Sequence, residues 1–217
     1  DGPTKRIIIP ELAPRALFWF RWGAAWTWIT GFLLAGLIYY HGRVVFEDPN
    51  AGGNVWLWLL IFLIVLAVGF VVYNAVMKSV ANVLVANTIV LILFAAVYLF
   101  FEFVGDFGGR SLYIHAGMIF GTMMALNVWM IIWPAQKRII TATKEGTAPN
   151  PADVAQAGLR SRHNTFMSVP LLFMMISNHY PTMYGNSYRD VCLLGVILLG
   201  FAATRWMYGK SAKVAAF

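Results

Sequence analysis

The sequence has little charge, almost no cysteine and few acids. Charged residues make up 12% of its 217 residues while hydrophobic residues make up 60%. A soluble domain of this length carries roughly 25% charged residues. No soluble core could hide so much apolar surface, so a chain folded alone in water is excluded. The single Cys192 excludes an internal disulfide and a multi-cysteine metal site. No Cys-x-x-Cys-His run exists, so no c-type haem is attached covalently to these residues. Also lacking are a second polar domain, an internal repeat and a cleavable signal-peptide pattern.

What is present is a series of long apolar runs, and the mean hydropathy is +0.69. Six runs approach the roughly 20 residues that cross a bilayer: about 16–40, 55–77, 83–104, 112–133, 164–178 and 191–208. Backbone in lipid must satisfy its own hydrogen bonds, which leaves helices or a closed barrel. The runs are continuous and do not alternate, which removes the barrel. The expectation is an all-α integral membrane protein, a single domain over 1–217 built as a bundle of about six transmembrane helices. Pro170 falls inside the short fifth run, where Thr165 and Ser168 are placed to bond the carbonyl it frees. The stretch 134–162 reads as one polar loop, with a short surface helix starting near Asn150 or Pro151.

Charge sets the topology. An even helix count puts both termini and the loops after the second and fourth runs on one side. That side holds Lys5, Arg6, Arg15, Lys78, Lys137, Arg138, Lys144, Arg160, Arg162, Lys210 and Lys213. The opposite loops hold Arg43, Arg110 and Arg189 among Glu47, Asp48, Asp106 and Asp190. The positive-inside rule makes the basic side cytoplasmic. The net charge of +7 is thus a topology signal; it is dispersed over short loops and gives no nucleic-acid surface. Tryptophans such as Trp26, Trp56, Trp133 and Trp206 near run ends read as an interfacial belt.

Histidines are the most informative polar residues. Topology puts His41, His115 and His179 at the periplasmic side and His163 at the cytoplasmic side. His163 and His179 are sixteen residues apart on one run, roughly 24 Å along a helix, so they cannot share one metal. Ionisable groups within a membrane read by default as functional. Haem b takes axial histidines from facing helices, and copper favours imidazole clusters. His115 and His179 are the candidate ligands for haem iron or copper, with His41 next. His163 would serve a separate cytoplasmic-side site completed by another chain. Gly117, Gly121 and Ala125 at four-residue spacing form a small face that admits close helix packing or a flat macrocycle. Glu102 and Asp106, with Arg110 nearby, read as an interfacial ion network. Arg21 and Arg205 read as snorkelling cations, and Asn74, Asn82, Asn87 and Asn127 as interhelical hydrogen-bonding groups.

The run Arg160-Ser161-Arg162-His163-Asn164, followed by Val169-Pro170-Leu171-Leu172-Phe173-Met174-Met175-Ile176-Ser177-Asn178-His179-Tyr180-Pro181, resembles the membrane domain of the bacterial cytochrome-c-linked urate oxidase family. Phe18-Trp19-Phe20-Arg21-Trp22, Tyr113-Ile114-His115-Ala116-Gly117, and Asn127-Val128-Trp129 through Pro134-Ala135-Gln136-Lys137-Arg138 carry the likeness along nearly the whole chain. The resemblance implies a multi-pass protein of the bacterial inner membrane that oxidises urate and passes electrons to a periplasmic cytochrome c. Two features depart from it. The chain holds no cytochrome c segment. It also begins after the place where the family has a first helix with its own histidine, which would join the periplasmic layer.

Two functions from different classes follow. One is a membrane oxidoreductase subunit that binds haem b, or copper, and passes electrons towards a periplasmic cytochrome c. The other is a non-catalytic structural or assembly subunit of a larger respiratory or photosynthetic membrane complex. Lipid and other membrane subunits are the expected partners of both. For topology, a cysteine replacing Lys144 should react with an impermeant thiol reagent only from the cytoplasmic side. Labelling from the periplasm alone would overturn the assignment.

Overall fold

The computed structural model describes residues 2–48, 50 and 53–211. Helices dominate, and their apolar runs account for them. α1 (Gly2–Ala35) continues as a wider π-helical segment, Gly36–His41. α2 (Val55–Ser79) and α3 (Val83–Phe103) follow. α4 (Gly109–Leu126) runs through a second π-helical segment, Asn127–Ile132, into α5 (Trp133–Lys144). α6 (Pro151–Ile176) ends in a tight turn, Ser177–His179; the short α7 (Pro181–Tyr184) and α8 (Arg189–Ser211) complete the order. Asparagines start three of them. Asn54, Asn82 and Asn150 accept from the first free amides of α2, α3 and α6.

Five stretches are long and apolar enough to cross a membrane: Ile7–His41, Val55–Ser79, Val83–Phe103, Gly109–Lys144 and Arg189–Ser211. The sixth expected run, 164–178, proves to be the second half of α6. Its first half carries Asp153, Arg160 and Arg162, so the helix as a whole is less apolar. The expected loop 134–162 is also corrected. Only 145–150 lies between helices, because α4 passes through Pro134 into α5 and α6 starts at Pro151. The wide turn before Pro134, where the Trp133 amide reaches back to the Val128 carbonyl, coincides with the break a proline makes in the ladder.

α4 is the axis of the bundle. In its apolar stretch 56% of the residues are buried, against 11–22% in the other four. α6 and α1 pack against the α4–α5 rod, α2 lies on another side of it, and α8 packs on α6. The outward surface is apolar: Trp19, Val71, Phe103 and Leu199 are all exposed. Water would disfavour that surface and lipid does not.

Close helix approach depends on glycine at two places. A β-carbon on Gly117 would meet the flexible tip of Met175 and lie 3.3 Å from Met174 Cβ, so α4 and α6 approach closely there, as the small-residue spacing predicts. On α8, a β-carbon at Gly200 would lie 3.1 Å from Pro170 Cδ and 3.2 Å from Val169 Cγ1. Thr165 and Ser168 do not bond the carbonyl that Pro170 frees, that of Phe166. Their hydroxyls donate to the carbonyls of Ser161 and Thr165.

Ion pairs join the ends. Arg189 bonds Glu102 at 3.0 Å and lies 3.5 Å from Glu47 and 3.8 Å from Asp190, so Arg189 and not Arg110 centres that network. Arg138 grips both oxygens of Asp153, at 2.9 and 2.6 Å, and holds its carboxyl below the usual carboxylate range. Arg21 does not snorkel freely. Its guanidinium lies 4.0 Å from the centre of the Trp133 ring.

Pro170 is rigid and cannot retreat from a larger residue, so Gly200→Leu should overpack the α6–α8 contact. We expect a loss of about 1–3 kcal/mol and a lowered thermal midpoint in detergent. Gly195→Leu, where nothing lies within 4 Å of a β-carbon, should leave the midpoint unchanged.

Candidate functional site

One end of the bundle gathers the histidine layer. His115 sits two turns into α4 and is 2% exposed. Its Nδ1–H donates to the Ser111 carbonyl at 2.7 Å, and the Ser111 hydroxyl lies 3.1 Å away. Nε2 then carries the lone pair, and it accepts from the Tyr40 hydroxyl at 2.8 Å. The rings of Tyr39, Tyr40, Phe62 and Phe107 surround the imidazole edge-on. The neighbouring Tyr39 hydroxyl donates to Asn178, which also accepts from Arg110 at 2.6 Å. His41 and His179, next in sequence to Tyr40 and Asn178, reach the same end of the bundle but are exposed. The three histidines therefore lie at one end of the bundle, and of them only His115 is enclosed.

This arrangement does not fit iron or copper held by His115. Both of its nitrogens are engaged, and a metal would have to displace Tyr40. Among the described residues, no group of three or more His, Cys, Asp or Glu side chains is placed to hold a metal ion.

A cavity of about 780 Å³ lies beside this node, walled by α1, α4 and α6. Phe20, Trp28 and Phe32 form its α1 wall, Gly117, Gly121 and Ala125 its α4 wall, and Leu171 and Met175 its α6 wall. No histidine lines it. Tyr39 and Asn178 stand at one end, and Gln136, Ser161 and Asn164 at the other. The small-residue face thus has two uses. Gly117 admits α6, while the nearest atom to a β-carbon on Gly121 is 3.9 Å away and the wall there stays recessed.

The other end holds a polar cluster that charge counting along the sequence misses. Tyr73, Asn74, Asn127, Arg160, His163 and Asn164 meet between α2, the Asn127–Ile132 segment and α6. Asn74 and Asn127 do bond across helices, as expected. Asn82 instead caps α3, and Arg160, assigned above to a loop, is 2% exposed inside the bundle. The available signal was its spacing: Arg160, His163 and Asn164 recur at three and four residues on one helix face.

Because the Tyr40 hydroxyl is the sole partner of His115 Nε2, Tyr40→Phe should leave a buried acceptor unpaired and cost about 1–3 kcal/mol. Chemical or thermal unfolding of the purified variant measures this. An unchanged midpoint would show that the contact contributes nothing.

The sequence model of the urate oxidase N-terminal family matches residues 3–216. Comparison with curated proteins and with solved structures gives no match. The family match extends over nearly all of the chain, through the His115 node, the walls of the cavity and the Arg160–Asn164 run alike. The chain belongs to the urate oxidase N-terminal family.

Proposed function

We propose that this chain is the membrane-embedded part of an oxidoreductase, and that the cavity between α1, α4 and α6 holds a long, narrow electron carrier, an isoprenoid quinone. The cavity carries this reading. Its walls include Leu17 on α1 and Tyr39 on the π-helical segment that continues it, 22 residues apart, which is roughly 30 Å along a helix. A hydrocarbon core is about 30 Å thick, so the cavity runs along a full span. A volume of about 780 Å³ spread over that length makes the cavity long and narrow. A space of this shape suits a long, chain-like molecule. The volume lies within the usual range for ligand sites, and polar groups sit where a head group needs them, at the ends.

The family description supplies the redox side of the proposal, since an oxidase needs an electron acceptor. In the balanced step, a substrate gives up two electrons and two protons, and the quinone takes up both to become the quinol. The residues of this chain bind and orient the acceptor: Trp28 and Phe32 flank it, and the recessed Gly121 leaves room for it.

A second reading is favoured by one observation. The complete hydrogen bonding of His115 suits a structural role for the histidine layer, and hence a subunit that scaffolds a larger membrane complex.

Solvent extraction of the purified chain, followed by chromatography and mass spectrometry, tests the proposal. Quinone should co-purify in near-stoichiometric amount. Gly121→Phe, which fills the cavity, should lower it at least about tenfold, a loss of about 1.4 kcal/mol of affinity. An extract holding only phospholipid, or a Gly121→Phe chain with undiminished quinone, sinks the reading.

A further inference from the structure

Arg160 is a buried cation with no counter-charge beside it among the described residues. It is 2% exposed, and its guanidinium lies over the Tyr73 ring, 4.6 Å from the centroid. Nη2 donates to Asn74 Oδ1 at 2.6 Å, while Nη1 is buried without a partner. Among the described residues no ion pair includes Arg160; Asp153 is taken by Arg138, and Glu47, Glu102 and Asp190 gather round Arg189 at the other end. Burying a charge without a counter-charge is strongly unfavourable, and a ring face compensates only part of it.

His163 stands one turn further along the same face of α6. The hydrogen bonds around it fix its tautomer. Asn164 Nδ2 donates to the Met124 carbonyl, so Asn164 Oδ1 accepts, at 2.9 Å, from Asn127 Nδ2. Asn127 Nδ2 also donates to the Tyr73 hydroxyl oxygen at 3.1 Å. The Tyr73 hydroxyl proton is then directed to His163 Nδ1, 2.8 Å away. The neutral imidazole therefore carries its hydrogen on Nε2, and Nε2 is buried with no partner. Arg160 and His163 together thus present two unpaired N–H donors, one of them fully charged. Asn127 opens the π-helical segment of the α4–α5 rod, and such segments recur at functional sites.

We propose that Arg160 and His163 bind a small oxyanion, a carboxylate or phosphate group, between α2, the α4–α5 rod and α6. One oxygen accepts from Arg160 Nη1 and another from His163 Nε2, and the anion supplies the missing charge. Asn74 and Tyr73 hold the guanidinium in place for it. The group comes from a free anion or from an anionic lipid head group, and the same two donors would read either. This site is distinct from the proposed quinone cavity and stands without it.

Thermal unfolding of the purified chain in detergent tests the proposal. One arm compares sodium phosphate, sodium acetate and sodium chloride at equal ionic strength. The other adds phosphatidylglycerol or phosphatidylcholine in chloride alone. Phosphate or acetate should raise the midpoint saturably over chloride, by about 5 °C or more at a hundredfold excess over Kd. A rise with phosphatidylglycerol but not with the free anions assigns the head group. Arg160→Gln keeps a polar group and removes the charge, and should abolish the rise. Where Arg160→Gln does not fold, His163→Phe, which removes one donor, should weaken the response at least about tenfold in concentration. Coincident curves in all salts and lipids, or an undiminished rise in the folded variant, would overturn the proposal.

Discussion

A polar group buried in this bundle is cut off from water by apolar side chains, and the outer faces of the helices are largely apolar as well. Each such group must find its partner on a neighbouring helix, and that constraint arranges the bundle around α4 and α5. His115 is held by Tyr40 at the end of α1 and by Ser111 one turn before it. Asn127, a little over three turns further along, is held to Tyr73 of α2 and Asn164 of α6. These two polar nodes set the register of three helices against the rod. Apolar packing alone tolerates sliding, since one aliphatic contact is much like the next; a hydrogen bond in a low-dielectric interior does not.

The nodes differ in how completely they are satisfied, and the difference bears on function. At the His115 end both imidazole nitrogens are paired and four aromatic rings close around them. Such an arrangement orders the structure and leaves nothing to coordinate a ligand. In the cluster around Arg160 three buried atoms, Arg160 Nη1, His163 Nε2 and Asn127 Oδ1, have no partner. Unsatisfied groups at that depth are the exception in folded proteins and mark places where chemistry or binding is unfinished. Between the nodes, the small residues Gly121 and Ala125 line the α4 wall of the cavity.

The helices were legible because a span of lipid demands a run of apolar residues, and five runs declare themselves as such. The sixth was seen only in part. Arg160 and Arg162 resemble loop cations when charge is counted along the chain, and Pro134 resembles a helix end. Yet Asn150-Pro151 was a legible start, and the apolar spacing after it continues through both arginines. The small face Gly117, Gly121 and Ala125 was also legible, but not its division into one tight contact and one recess. Side-chain lengths across the gap, Met175 opposite Gly117 and Leu171 opposite Gly121, decide that, and no spacing rule contains them.

By itself, then, the sequence determined the all-helical build and the family, and it put His41, His115 and His179 at one end of the bundle, because composition and helical rise act along one dimension. Only the tertiary structure decided what each polar group does. Whether an imidazole is locked or free, and whether an arginine is solvated or buried without a counter-charge, depends on the residues that neighbouring helices bring within about 3 Å of it. Tyr40 is 75 positions from His115 and Asn74 is 86 positions from Arg160. Partners so remote along the chain become neighbours only when the bundle closes.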